Sequence, residues 1–214
     1  MKTIGKITVF VLLIALIVPR SFAQDEKDFR FTVKTNPMAA LGGPIWFIIV
    51  PITGEYRVLF EAKTMEKQSI QVGASYLGPS LLINLDKISA SDSSEITGIN
   101  TSGFRGQLMY KFFLSRDLSA PEGFYVGPHI SYATASIVNK NNESDKVKAT
   151  KININGVLGY QLITSGGFTL DVYTGLGFRI KKWEYPSAID TDFDFGTSKN
   201  TPMVTFGVNF GYAF

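Results

Sequence analysis

The sequence predicts an all-β chain: an eight-stranded antiparallel up-and-down barrel that crosses a membrane. Three observations lead there. The final stretch, Met203–Phe214, alternates strictly, with Val204, Phe206, Val208, Phe210, Tyr212 and Phe214 on one face and Thr205, Gly207, Asn209, Gly211 and Ala213 on the other. A period of two is a strand with two unlike faces, and the apolar face runs to the last residue with no polar tail. Earlier segments repeat the pattern over ten or more residues, longer than the ~5–6 of soluble sheets and matched to the ~9–11 of a tilted membrane strand. The links alternate as well: short after the second, fourth and sixth strands, long and polar after the third, fifth and seventh. That is the arrangement of short periplasmic turns and longer extracellular loops.

The composition suits a barrel wall. Only 18% of residues are charged, 13% are aromatic and 20 are Gly. With no Cys, disulfides, thiolate nucleophiles, cysteine metal sites and a lipid-modified cysteine are excluded.

Residues 1–23 read as a signal peptide. Lys2 and Lys6 form a positive start, Ile7–Val18 is apolar, and Ser21 and Ala23 supply small residues for cleavage between Ala23 and Gln24. The apolar stretch is shorter than the ~20 residues a spanning helix needs. Arg20 lies close to the cut. Removing Lys2, Lys6 and Arg20 from the 21 Lys and Arg leaves 18, against 18 Asp and Glu. The mature chain, 24–214, is neutral and makes no electrostatic case for nucleic acid.

The strands follow in order. The first is expected at Phe29–Leu41, where Phe29, Phe31 and Val33 alternate with Arg30, Thr32 and Lys34, and Leu41-Gly42-Gly43-Pro44 reads as a tight turn. The second spans Ile45–Ala62. A buried helix over its apolar start, Ile45–Val50, is opposed by the close brackets Pro44 and Pro51. A turn at Lys63–Gln68 leads to the third, Ser69–Gly78, and Pro79–Asn100 is a long polar link. The fourth strand is Gly103–Leu114, followed by a turn at Ser115–Glu122, and the fifth is Gly123–Ser136. Ile137–Ala149 is expected as a polar loop, then come the sixth strand, Thr150–Ile163, and a tight turn at Thr164–Gly167. The seventh strand is Phe168–Trp183, Tyr185–Pro202 is the last long link, and Met203–Phe214 closes the chain.

One face of these strands is almost free of charge. The other carries Arg30, Lys34, Glu55, Arg57, Glu61, Arg105, Lys111, Asp171, Arg179 and Lys181. A soluble sandwich would bury the apolar face; a membrane barrel turns it to lipid and encloses the charges. An eight-stranded interior is just filled by side chains, so these groups should pair, with Glu55, Glu61 and Asp171 available to Arg57, Arg105 and Arg179. Inward Gly73, Gly127, Gly159, Gly175, Gly177, Gly207 and Gly211 leave room for long basic side chains. A structural salt-bridge plug is one reading of this set, and an ion path or binding site is the other.

The whole mature length resembles the small eight-stranded outer-membrane barrels of the OmpA/OmpX type. Lys34-Thr35-Asn36-Pro37 and Gly54-Glu55-Tyr56-Arg57 resemble a bacterial family of such barrels with no assigned activity. The terminal Phe210, Tyr212 and Phe214 resemble the signal by which these barrels are recognised for assembly. The resemblance implies residence in the bacterial outer membrane. The implied partners are membrane lipid and lipopolysaccharide, the barrel-assembly machinery and periplasmic chaperones; it implies no reaction and names no extracellular ligand.

Two motifs bear on chemistry. His129, the single histidine, precedes Ser131 in Pro128-His129-Ile130-Ser131, similar to the His and Ser of outer-membrane lipid A deacylases. On this register both face the lumen rather than lipid, and no acid is placed to orient the His. Asp190, Asp192 and Asp194 alternate in the last long link; spaced carboxylates can hold Ca²⁺, but the Gly and closing Glu of a calcium loop are missing. The expected protein is an outer-membrane barrel with a structural or loop-mediated recognition role, no cofactor, no catalysis and no open pore. A narrow porin-like channel for small solutes or ions and a lipid A-modifying enzyme are the alternatives.

Overall fold

Eight antiparallel strands close on one another in sequence order: β1 (Phe31–Thr35), β2 (Thr53–Met65), β3 (Gln68–Pro79), β4 (Ile99–Phe113), β5 (Gly123–Asn139), β6 (Asn142–Ile163), β7 (Phe168–Glu184) and β8 (Asn200–Ala213). Each pairs with its neighbour and β8 pairs with β1, making a closed up-and-down barrel. The computed structural model describes residues 28–40, 53–79, 99–139, 142–184 and 200–214. Residues 1–27, with Ala23 and Gln24, lie outside the described residues, as do the Leu41–Pro44 turn, the start of the expected second strand, most of Pro79–Asn100, and Asp190, Asp192 and Asp194.

Alternation sorts the side chains as expected. Even positions of β1 and odd positions of β2–β8 face inward: Thr32, Lys34, Leu59, Glu61, Lys111, Tyr125, Asp171 and Asn209 are all buried. Their neighbours along each strand, among them Val58, Leu176 and Val204, are exposed on the outside. The core is therefore the barrel interior, and it is largely polar. Its apolar part is a cluster of Met109, Phe113, Ala120, Tyr125, Val157 and Tyr173.

The end of the barrel that carries the chain terminus is fastened by tight links. Glu66 and Lys67 alone join β2 to β3. The Lys67 ammonium donates to the carbonyls of Ser115 at 3.0 Å, Arg116 at 3.0 Å and Leu118 at 2.7 Å, holding the β4–β5 link across that end. At the β6–β7 turn, Gly167 N–H donates to the Thr164 carbonyl at 2.8 Å. Gly167 has φ +89° with Tyr212 and the Ala213 carbonyl close by, so a side chain there is excluded by both conformation and space.

Two expected boundaries are corrected. The first strand ends at Thr35 rather than Leu41, and a short helix, α1 (Pro37–Ala40), follows. Asn36 caps it, accepting from Ala39 N–H through Oδ1 at 3.0 Å, and Pro37 sits where a missing N–H costs nothing. Of the expected loop Ile137–Ala149, residues 137–139 and 142–149 instead extend β5 and β6, paired to Asn139↔Asn142 with an irregularity at Val138/Asn139; 140 and 141 lie outside the described residues. The segment's polar residues read as a loop, but a ladder beyond an apolar belt needs only backbone pairing and β-branched residues, which Ile137, Val138 and Val147 supply.

Candidate functional site

The charged interior forms two separate groups. In the half near the termini, Lys34 and Lys111 meet Glu61 and Asp171, and all four side chains are fully shielded from solvent. Lys34 Nζ donates to Glu61 Oε2 at 2.5 Å, Gln161 Oε1 at 2.9 Å and Asp171 Oδ2 at 2.9 Å. Lys111 Nζ donates to the same three oxygens, at 3.2, 2.7 and 3.1 Å. Each ammonium thus has three acceptors for its three N–H groups, and two positive charges balance two negative ones.

The remaining carboxylate positions are also used. Tyr125 donates to Asp171 Oδ1 at 2.7 Å, Asn209 to Asp171 Oδ2 at 3.3 Å, Ser69 to Glu61 Oε1 at 2.5 Å, and Thr32 to Glu61 Oε2 at 3.3 Å. Lys111 Nζ also lies 4.3 Å from the centre of the Tyr125 ring. Every strand contributes: Thr32 and Lys34 from β1, Glu61 from β2, Ser69 from β3, Lys111 from β4, Tyr125 from β5, Gln161 from β6, Asp171 from β7 and Asn209 from β8.

Toward the other end, Glu55 takes Arg57 at 2.7 Å, Arg105, and Ser75 at 2.7 Å. Arg179 gives its Nε–H to Asn153 Oδ1 at 3.0 Å. The expected partners therefore differ: Glu61 and Asp171 pair with lysines, and Glu55 alone serves two arginines. Arg30 is not in the interior. It precedes β1, its side chain is 73% exposed, and it lies 3.7 Å from Asp28. Lys181 is partly exposed at the far end.

Space between the groups goes chiefly to rings and uncharged chains rather than basic heads. Gly159 lies against the Tyr125 ring, Gly207 against Tyr173, and Gly73 against Leu59 and Gln107; Gly211, against the Lys34 stem, fits the expectation. Tyr125, Gln161 and Ser69 were missed as members of the network, although the same odd-numbered parity places them inside.

His129 and Ser131 both face inward and are buried. His129 Nδ1 is 3.3 Å from Asn155 Nδ2, and Ser131 Oγ accepts from Asn153 Nδ2 at 3.1 Å. Among the described residues no hydrogen bond joins the two and no carboxylate orients the ring; nor is there a group of three His, Cys, Asp or Glu that could hold a metal.

Phe210, Tyr212 and Phe214 are exposed on the outer face. Phe214 closes the seam: its carbonyl accepts from Arg30 N–H at 3.1 Å and Phe31 N–H at 3.0 Å, and its N–H donates to the Phe31 carbonyl at 2.9 Å. The Phe31 and Phe214 rings are 5.9 Å apart. The site and fold define a closed β-barrel with a charged, polar interior. No protein-family model and no curated protein matches the chain.

Proposed function

We propose that the protein is an integral outer-membrane barrel, similar to the OmpA/OmpX type, with a structural or loop-mediated recognition role in the envelope and a plugged lumen. The observation that carries this is the inverted barrel: an outer belt including Val58, Phe104, Leu108, Leu176, Phe178 and Val204 is exposed, while charged and polar side chains fill the inside and those near the termini are paired. So large an apolar surface requires cover, and lipid is the cover that suits a closed barrel.

Aromatic residues support the same reading. Phe112, Phe124, Tyr160, Phe168, Tyr212 and Phe214 lie outside near the termini, and Tyr56, Tyr76, Phe104, Tyr132 and Phe178 lie outside nearer the other end. With ~3.3 Å per residue and a tilt of ~40°, Phe104 and Phe112 on β4 stand roughly 20 Å apart along the barrel axis. Two such girdles suit an apolar band of ~25 Å.

Membrane fractionation tests this. The native chain is expected in outer-membrane fractions as a heat-modifiable, protease-resistant form, with Gln24 as its amino terminus by mass spectrometry. Phe214→Asp, which removes the aromatic at the seam, should lower that yield far more than a change at Asn141. Recovery of the chain as a soluble protein without detergent would refute the assignment. In planar bilayers the expected result is no steady conductance; a steady current altered by shortening Arg57 or Arg105 would favour the channel reading.

A further inference from the structure

The two interior groups differ in charge balance, and the surplus lies in one place. A single cross-strand row runs Arg57, Ser75, Arg105, Ala133, Lys151, Lys181 over β2–β7. The row beside it, nearer the termini, contains Gln107, Ser131, Asn153 and Arg179. These two rows bring five cations into the half of the interior remote from the termini. Among the described residues the one carboxylate in contact with them is Glu55, whose two oxygens are already taken by Arg57, Arg105 and Ser75. Lys151 and Lys181 stand directly opposite each other on β6 and β7, a placement that is unfavourable for like charges. Filling the lumen does not require it, and a bound counter-anion would relieve the repulsion.

Unused polar atoms lie in the same region. The donors Gln107 Nε2 and Arg105 Nε, and the ring nitrogen His129 Nε2, are buried without a hydrogen-bond partner among the described residues, and Gln107 and His129 are 9% and 5% exposed. A buried donor left unmade is costly. Arg179 gives its Nε–H to Asn153, and among the described residues its terminal N–H groups have no acceptor. Clustered ammonium and guanidinium groups with neighbouring neutral donors suit a compact oxyanion with several acceptor atoms.

We propose that the interior wall formed by Lys151, Arg179 and Lys181, with Arg105 and Gln107 beside them, binds a phosphate-class anion entering from the end of the barrel remote from the chain terminus. The site is a property of the barrel interior and does not depend on the membrane assignment.

Inorganic phosphate, titrated calorimetrically into the folded full chain in a phosphate-free maltoside detergent at low ionic strength, should bind saturably and weaken as chloride is raised. Lys151→Gln with Lys181→Gln should weaken binding about tenfold or more, the scale of losing a charge-assisted contact. Arg30→Gln with Lys63→Gln removes the same charge at the opposite end and should leave affinity within about twofold, by the weak reach of screened exposed charges. Absence of saturable heat, or equal loss in both double variants, would overturn the proposal. Should the interior variant fail to fold, amide NMR shifts of the wild-type chain decide: phosphate should move Ser131, Asn153 and Arg179, and shifts centred on Arg30 and Lys63 would overturn it. Loss of phosphate binding on adding lipopolysaccharide supports the site and assigns its anion to a headgroup; retention assigns it to the free ion.

Discussion

The two halves of the barrel interior solve the problem of enclosed charge in opposite ways. Near the termini, Lys34, Lys111, Glu61 and Asp171 balance one another, and all six ammonium N–H groups have acceptors. Toward the other end, Glu55 serves Arg57 and Arg105 while Lys151, Arg179 and Lys181 have no carboxylate contact among the described residues. The difference separates two uses of the same residue types. A closed, neutral knot ties strands together and offers nothing to a solute. An unbalanced wall with spare donors retains capacity for a ligand. Charge count alone does not distinguish them; the number of acceptors per donor does.

The comparison is broken most severely at Asp171. Asp171→Ala leaves two buried ammoniums with one carboxylate and strands the Tyr125 hydroxyl. The expected loss is about 3–5 kcal/mol, the cost of breaking a buried pair, read from urea unfolding of the detergent- or lipid-folded barrel. Adding Lys34→Met restores charge balance and should recover part of that loss. Simple additivity of the two would show that the pair is not coupled. A smaller effect is expected at Glu55. Glu55→Gln should cost about 1–3 kcal/mol, the scale for a charged hydrogen bond, and should also strengthen phosphate binding by removing the acid that competes for Arg105. The smallest effect lies outside the barrel wall, at Asp28. The Lys63 ammonium, 2.5 Å away, holds its carboxyl below the usual range through a hydrogen bond. A lowered folded pKa means the contribution is complete above the unfolded value and disappears as pH falls through the folded one. Asp28→Asn should therefore cost no more than about 0.5 kcal/mol at neutral pH, given the exposure of the pair, and nothing once the medium is acid enough to protonate the carboxyl. A deficit that persists there would show that the effect is not ionic.

Much of the architecture was legible because a strand's period is two and nothing else shares it. That period places Glu61, Lys111 and Asp171 inside and Phe206 and Phe210 outside, as found. It gives the face of a residue but not its height in the barrel. Height depends on the stagger between strands, so the pairing of lysines rather than arginines with Glu61 and Asp171 was not readable. Parity misled at Arg30, which precedes the first ladder pair, and composition misled at Ile137–Ala149, where polar residues continue a strand whose backbone pairs nonetheless. Parity also puts Tyr125 inside, but its phenol carries no charge, so nothing in the sequence marks it as the donor to Asp171.

The knot around Lys34 joins residues that are far apart in the chain: Lys34 and Asp171 are separated by 137 positions. No hairpin contains a complete version of it: a barrel lacking β1 loses Lys34 and Thr32 and leaves two carboxylates to Lys111 alone, and one lacking β8 loses Asn209 and opens the interior to water. Dehydration of these groups is favourable only when the last seam, Phe214 against Phe31, is in place. The network therefore acts as a test of completion. Seven paired strands already carry all four charged groups, and the eighth adds Asn209 and the closure that shields them from water. Partial barrels are left open to water and to proteolysis, and the finished one unfolds as a unit.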